Sequence, residues 1–232
     1  MLSIIETSNN QLLNVFNFNE LITTPFKENY NAICWNRILE GDFEEIVNAT
    51  TLEGNMMELS EEHLLELKLS ENGIIARDTI LTDFKLLSTL GFEPVLNIID
   101  HYEADEDLFF PRDVYSFHVD RSPIPTDTFL CTYFGATSEI IPNEQAIQKI
   151  QLPKIREKLL RNYKGDIVNF ENYLSEQFFD LHYKALPNAA ITSAVIGQLW
   201  RLAVDHPKSE VLPCIHRAPE EKKGQKRLLL IC

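Results

Sequence analysis

The feature that most constrains the fold is a change in hydrophobic patterning close to residue 93. From that point the sequence consists of short runs rich in β-branched and aromatic residues, separated by prolines and glycines. Several short strands divided by turn residues are typical of a β-barrel. The predicted strands are Val95–Ile99, Val114–Val119, Phe129–Phe134, Ala190–Ile196, Val211–Ile215 and Leu228–Cys232.

The residues before this change are predicted to form mainly helices. Ser60 precedes two glutamates and a leucine-rich run, which is the pattern of a helix that begins with a serine N-cap. A second helix is predicted from about Asp78, because Phe84 and other apolar residues follow it at helical spacing. Gly91 readily takes the left-handed conformation that ends a helix. The segment 32–39 is compatible with either a strand or a helix.

A helical block interrupts the β-rich part between residues 143 and 187. Asn143 is predicted to cap a first helix, which Pro153 divides, and a second helix is predicted near Asn172–Asp180. The sequence contains neither an internal repeat nor a low-complexity linker. These patterns together predict an α+β fold in which helices precede and interrupt a β core.

The chain is predicted to form a single domain, 1–232. Its 232 residues, of which 44% are hydrophobic, are enough to bury one substantial core. Within this domain, residues 1–92 are expected to provide mainly helical N-terminal support. Residues 93–232 are expected to form the β core with its helical insertion.

Charge and cysteine usage narrow the classes of partner. The formal net charge of −14 repels phosphate backbones, and the basic stretch at 222–227 is short, so we expect no nucleic-acid partner. No stretch has the apolar length of a membrane span and the N-terminus lacks a secretion signal, so we expect a cytoplasmic protein without a membrane partner. Scattered thiols without a CxxC pair fit a reducing compartment; they are Cys34, Cys131, Cys214 and Cys232.

A His-x-Asp pattern occurs in the predicted strand whose residues 113–120 read DVYSFHVD. Alternate side chains of a strand point to the same side, so His118 and Asp120 are predicted to share one face. They would lie about 7 Å apart along the strand, from the rise per residue. Converging side chains at this spacing can bind one metal ion, although His-x-Asp also occurs by chance. The pair alone is also compatible with a buried hydrogen-bonded contact.

Two residues near the C-terminus complete the pattern. His216 ends a β-like run, and Arg227 begins the next predicted strand after a polar turn. Two histidines and one carboxylate with open positions form the facial triad of non-haem Fe(II) sites. A guanidinium on the neighbouring strand can bind a carboxylate through two hydrogen bonds.

The order His118-x-Asp120, a distant His216 and then Arg227 resembles the Fe(II)/2-oxoglutarate-dependent oxygenase superfamily. The segments FHVD, TYFGATSE, HRAP and KRLLLI are also similar to a bacterial family described as a domain of unknown function. The resemblance covers about residues 90–232 and implies a double-stranded β-helix, which is a jelly-roll or cupin-like barrel. It implies that His118, Asp120 and His216 bind Fe(II) and that Arg227 holds the distal carboxylate of 2-oxoglutarate.

Thr132 and Tyr133 are further candidates for binding the co-substrate. Both lie on the predicted strand Phe129–Phe134, and neighbouring strand residues face opposite sides, so only one hydroxyl can point towards the site. Such a hydroxyl can donate a hydrogen bond to a co-substrate carboxylate, or it can have a purely structural role.

The resemblance implies a dioxygenase, most simply a hydroxylase, whose primary substrate is either a small molecule or a protein side chain. Two other interpretations remain open at this point. One is a metal-binding barrel without 2-oxoglutarate turnover, such as a sensor, a buffer or a non-redox enzyme, because the same ligands accept other divalent metals. The other is a protein-interaction module that retains an inactive barrel.

Overall fold

The structure is a computed structural model that describes residues 11–27, 30–103, 110–220 and 224–232. The first ten residues, and Lys222 and Lys223 of the basic stretch, lie outside these ranges. The helices within them are α1 (Phe18–Thr23), α2 (Phe43–Ala49), α3 (Glu61–Glu66), α4 (Glu71–Ser88), α5 (Pro153–Asn162) and α6 (Phe170–Glu176).

The strands of the described residues are mostly antiparallel, and the predicted mixed α+β fold is confirmed. Those of the first half are β1 (Leu12–Val15), β2 (Ala32–Trp35), β3 (Met56–Leu59), β4 (Val95–Ile99), β5 (Asp127–Phe134) and β6 (Glu139–Ile141). Those of the second half are β7 (Ala146–Gln148), β8 (Tyr183–Ala185), β9 (Thr192–Ser193), β10 (Leu199–Ala203), β11 (Ile215–Arg217) and β12 (Arg227–Ile231).

Seven strands form the large sheet, in the order β1-β2-β10-β5-β12-β4-β3. Strand β1 pairs with β2 in parallel, and the other ladders of this sheet are antiparallel. The N-terminal part of the chain therefore supplies three edge-side strands as well as the predicted helices. The open choice for the segment 32–39 is settled in favour of a strand at β2.

Strands β11, β6 and β9 form the small sheet. The predicted strand Val114–Val119 is wrong, because Asp113 to Ser116 form a turn instead. The carboxylate of Asp113 accepts hydrogen bonds from the backbone N–H groups of Tyr115 and Ser116. Such local side-chain bonds compete with strand pairing. Only His118 continues the sheet, through isolated antiparallel bridges to His182 and His216.

The two faces of the large sheet bury different partners. On one face Phe129, Cys131 and Tyr133 of β5 join a core with the N-terminal helices. On the other face Leu130 of β5 packs in a core that includes Ile140 of the small sheet. The alternation from Phe129 to Tyr133 follows from the two-residue period of a strand, and it places the space between the two sheets on the Leu130 side. It ends at Phe134, where the register with β12 shifts.

Capping residues determine where the N-terminal helices begin. Ser60 caps α3 as predicted, through a hydrogen bond from the backbone N–H of His63 to its hydroxyl. Helix α4 begins at Glu71, well before the predicted start near Asp78, because Ser70 caps it in the same way from Gly73. Within the described residues, the helices are all too short or too polar to cross a membrane.

The block 143–187 differs from the prediction in its first half. The predicted helix that Asn143 caps is wrong, since residues 146–148 form β7 and pair with β8 as a hairpin. Helix α5 begins at Pro153, where a missing N–H costs nothing. The helix predicted near Asn172–Asp180 lies earlier, at α6, because Phe178 takes a left-handed conformation with φ of 60°.

Two predicted strands differ in extent. Of the predicted strand Ala190–Ile196, only the residues of β9 form a strand. Strand β11 begins at Ile215, the last residue of the predicted strand Val211–Ile215. The prediction Leu228–Cys232 corresponds to β12, and this strand begins with Arg227 as expected.

Candidate metal centre

His118, Asp120 and His216, here called the triad, come together between the two sheets. One ligand atom from each lies within 4.8 Å of the others. The Nε2 atom of His216 is 3.6 Å from one oxygen of Asp120, and that of His118 is 4.0 Å from the other. The structure therefore brings together the three residues that the sequence pattern selects.

Backbone hydrogen bonds set the positions of the two histidines. The N–H of His118 donates to the carbonyl of His216 at 2.8 Å, and the reverse bond measures 2.9 Å. In an antiparallel sheet, residues paired in this way present their side chains on the same face. This pairing places the imidazoles side by side, with ring centroids 4.5 Å apart.

Both imidazoles are oriented by backbone carbonyls. The Nδ1 atom of His118 lies 2.7 Å from the carbonyl oxygen of Ser116, and that of His216 lies 3.2 Å from the carbonyl of Cys214. A carbonyl can only accept, so each Nδ1 carries the hydrogen and each neutral ring keeps its lone pair on Nε2. This outer-shell arrangement is the one that metal-binding histidines commonly show.

The charge states also fit metal coordination. Burial, together with the neighbouring His216, lowers the pKa of His118 to about 4, so its imidazole is neutral at physiological pH. Burial alone would raise the pKa of Asp120, but His216, the hydroxyl of Thr128 and His118 hold it below its usual value. Two imidazoles and one carboxylate are a donor set suited to a divalent transition metal.

Asp120 is positioned by hydrogen bonds from Thr128 on β5 and from the backbone of Asp205. The hydroxyl of Thr128, on β5, donates a hydrogen bond to one Asp120 oxygen, and the backbone carbonyl of Asp120 accepts from Asp205 at 2.8 Å. The adjacent Arg121 pairs with Asp180 and Asp205 at 2.7 and 2.8 Å. These contacts anchor the loop, while the Asp120 side chain remains 36% exposed, so the triad is accessible from outside.

Arg227 is buried in the same space between the sheets, with 1% of its surface exposed. Its guanidinium donates to the hydroxyls of Ser138 at 2.7 Å and Thr132 at 3.3 Å. Gly135 has φ of +86°, and a Cβ there would lie 2.5 Å from the backbone oxygen of Lys226. The segment TYFGATSE therefore supplies two hydroxyls and one glycine that allow Arg227 to occupy this position.

Strand geometry relates Arg227 to the triad. Thr128 contacts Asp120, and Thr132 contacts Arg227. The two threonines lie on one face of β5, roughly 13 Å apart along the strand. On the small sheet, Ile140 pairs with His216, and Ser138 precedes Ile140 by about 7 Å of strand. The guanidinium and the triad therefore sit at two ends of one inter-sheet space.

Tyr133 lies on the opposite face of β5, so its assignment to the co-substrate site is corrected. Its hydroxyl donates to Asp83 at 2.6 Å, and its ring stacks on Phe43 at 5.3 Å. Asp83 also pairs with Arg37. Of the two candidate hydroxyls, Thr132 is the one on the Arg227 side.

Three residues that lie beside the triad or the arginine were not predicted from the sequence. Ser138 accepts a hydrogen bond from Arg227. Its position within the segment TYFGATSE is the sequence feature that could have indicated this role. His182 occurs in a short segment with loop-like sequence, but it is buried and its ring centroid lies 6.0 Å from that of His118. Lys149 donates to Ser116, which in turn lies next to His182.

The chain matches no protein-family model, and no curated protein matches it. The functional interpretation therefore depends on the geometry of the triad and of Arg227. Both features are defined by side-chain contacts within the described residues, and each can be tested separately by substitution.

A pair of threonine substitutions separates the two halves of the site. We expect Thr128→Val to weaken divalent-metal binding roughly 10- to 100-fold, because it removes a hydrogen bond that orients a metal-binding carboxylate. We expect Thr132→Val to leave metal binding unchanged and to weaken the 2-oxoglutarate binding that the sequence resemblance implies for Arg227. Metal and 2-oxoglutarate titrations of both variants measure this, and equal effects of the two substitutions would contradict the assignment.

The metal-free protein is expected to lose stability as the pH falls from about 6.5 towards 4. The pKa of His118 is lowered to about 4 in the folded chain, so on acidification the unfolded chain takes up a proton that the folded chain does not. For His118 alone the loss is on the order of 2 kcal/mol at pH 5, from about 1.4 kcal/mol per pKa unit. Burial also lowers the pKa of His182, to about 3, which acts in the same direction.

Urea unfolding of the metal-free protein at pH 7 and pH 5 measures this loss. The variant His182→Gln should lose less free energy of unfolding between the two pH values than the unmutated protein does. An unfolding free energy that is the same at pH 7 and pH 5 would show that the buried histidines are not held neutral.

Proposed function

We propose that this protein is an Fe(II)- and 2-oxoglutarate-dependent dioxygenase, most simply a hydroxylase. The observation that carries the proposal is the pairing of a His-Asp-His triad with a buried arginine in one inter-sheet space. The triad accounts for metal binding, and Arg227 accounts for a carboxylate-bearing co-substrate.

The connectivity supports a double-stranded β-helix. From β4 onwards the chain alternates between sheets: β4 in the large sheet, His118 beside the small sheet, β5 in the large, then β6 and β9 in the small. It continues with β10 in the large sheet, β11 in the small and β12 in the large. Alternation of the chain between two antiparallel sheets is what a jelly roll requires, and it supports the proposed double-stranded β-helix.

The donor set fits iron. Two histidines and one carboxylate form the facial triad of non-haem Fe(II) oxygenases and leave positions for a co-substrate and dioxygen. Here His118, Asp120 and His216 would hold the metal, with Thr128 orienting the carboxylate and backbone carbonyls orienting both imidazoles.

Arg227 fits the distal carboxylate of 2-oxoglutarate. A guanidinium recognises a carboxylate through two parallel hydrogen bonds, and burial strengthens the interaction by excluding water. Thr132 and Ser138 fix the side chain, so it does not need to be ordered when the co-substrate binds. When bound, iron together with 2-oxoglutarate and dioxygen would supply the oxidising chemistry, which yields succinate, carbon dioxide and a hydroxylated product.

Buried apolar side chains of the two sheets exclude water from the space between them. Leu130, Trp200 and Leu229 of the large sheet face Ile140 of the small sheet, and all four are buried. Apolar walls exclude competing water and keep the reacting groups in the geometry that the fold imposes. The chain thereby provides binding, orientation and exclusion of water.

Succinate formation tests the proposal. We expect succinate release from the purified protein that requires Fe(II), 2-oxoglutarate and dioxygen together, and that is absent in Asp120→Asn. A screen of small molecules and peptides should then identify compounds that accelerate this release. Tight binding of Zn(II) or Ni(II) without 2-oxoglutarate binding or succinate release would favour the metal-binding barrel instead.

A further inference from the structure

A second cleft lies on the face of the small sheet that points away from the triad. Phe117 and Ile215 are buried in a cluster on this face. Ile140 and His216 lie on the opposite face, which is the side of the triad. The cleft has a volume of about 480 Å³, within the range of pockets that hold small molecules. It is here called the lysine cleft, and its polar lining includes Ser116, Lys149, Lys184 and Arg217.

Lys149 is the residue that distinguishes this cleft. Its Nζ donates to the hydroxyl of Ser116 at 2.6 Å and lies 5.5 Å from the centre of the Phe110 ring. Among the described residues, none has a carboxylate within 4.0 Å of this ammonium group, although the chain has 35 acidic residues. An ammonium group has three donors, and the contact with Ser116 uses one of them.

Within the described ranges, the charges near Lys149 do not neutralise it. Asp113 raises its pKa from beyond ion-pair distance, but burial has the larger effect and lowers it overall. One oxygen of Asp113 is occupied by the backbone N–H groups of Tyr115 and Ser116. A half-buried cation without a close counter-ion is stabilised when an anion binds beside it.

Aromatic side chains form the apolar part of the lysine cleft. Tyr115, Phe117 and Tyr183 line it, and Arg217 lies 4.4 Å from the centre of the Phe117 ring while it pairs with Glu139 at 2.7 Å. Aromatic walls favour a flat apolar body, because ring faces and edges pack against one another in offset or edge-on geometry. The cleft lining thus combines aromatic side chains with the cations Lys149, Lys184 and Arg217 and with one carboxylate, that of Asp113.

We propose that the lysine cleft binds a small carboxylate with a flat apolar body. The carboxylate accepts hydrogen bonds from the two remaining Nζ donors of Lys149, and the body lies among Tyr115, Phe117 and Tyr183. This site uses neither the triad side chains nor Arg227, although the carbonyl of Ser116 in its lining also bonds the His118 ring. It does not depend on the function proposed above.

Benzoate is a suitable probe, titrated calorimetrically into the metal-free protein so that the triad cannot contribute through a bound metal. We expect Lys149→Met to weaken benzoate binding roughly 10- to 100-fold, since it removes a charged hydrogen bond while keeping most of the length of the side chain. The matched control Lys154→Met, at an exposed position of α5, should bind benzoate as the unmutated protein does.

Two further ligands test the chemistry on the unmutated chain, where folding is not in question. Benzamide, which keeps the ring but lacks the charge, should bind much more weakly than benzoate. Inorganic phosphate, which keeps the charge but lacks the ring, should also bind more weakly. The proposal is overturned by equal benzoate affinity in Lys149→Met, by equal binding of either analogue, or by no benzoate binding at millimolar concentration.

Discussion

Replacing His216 with alanine is expected to abolish Fe(II) binding while the fold is retained. The substitution removes one of three ligands and leaves an incomplete facial set. Changes to outer-shell partners alone cost roughly 10- to 100-fold in metal affinity, so loss of a ligand is expected to cost more than about 100-fold. Anaerobic competition with a chelator measures the affinity, and circular dichroism verifies the fold.

Two further variants control this result. Asp120→Asn keeps the shape of the ligand and removes its charge, so it should also abolish Fe(II) binding. His101→Ala should have no effect, because His101 is 50% exposed and contacts Asp100. Unchanged Fe(II) affinity in both His216→Ala and Asp120→Asn would remove the triad from consideration as a metal site.

Replacing Arg227 with methionine is expected to weaken 2-oxoglutarate binding roughly 100-fold or more and to leave Fe(II) binding nearly unchanged. Removing one member of a buried, hydrogen-bonded charge pair is among the costliest changes at a binding site. Because Arg227 contacts Thr132 and Ser138 rather than the triad, the metal ligands keep their positions. Calorimetric titration of 2-oxoglutarate into the Ni(II)-loaded protein measures the effect without turnover.

The variant Arg227→Lys provides the matched control. It keeps the charge but lacks the planar pair of donors, so 2-oxoglutarate affinity should fall between that of the unmutated protein and that of Arg227→Met. If Arg227→Met lowers metal and co-substrate affinity by equal factors, Arg227 supports the fold of the site and does not bind the co-substrate.

The site was more predictable from the sequence than the elements that carry it. The spacing His118-x-Asp120 indicates converging side chains even though Asp113 turns the preceding backbone away from a regular strand. The side chains converge because the backbone around His118 is extended and pairs with His216 through two hydrogen bonds. This pairing forms even though the residues before His118 are not a regular strand. Arg227 was predictable because it directly precedes a strong β run.

Long-range pairing was not predictable from local patterns. Strand β2 inserts between β1 and β10, and β3 adds to the edge of β4, although both lie in the part predicted to be mainly helical. The cluster of Ser116, Lys149 and His182 joins three separate segments, and none of them has a distinctive local pattern. Such contacts depend on the tertiary fold, which a single sequence does not display.

Anaerobic addition of Fe(II) and 2-oxoglutarate to the purified protein tests the central claim most directly. The proposed site predicts a weak visible metal-to-ligand charge-transfer band that requires both additions and is lost in Arg227→Met. Absence of the band from a protein that binds Zn(II) or Ni(II) tightly would contradict the dioxygenase and leave a metal-binding barrel.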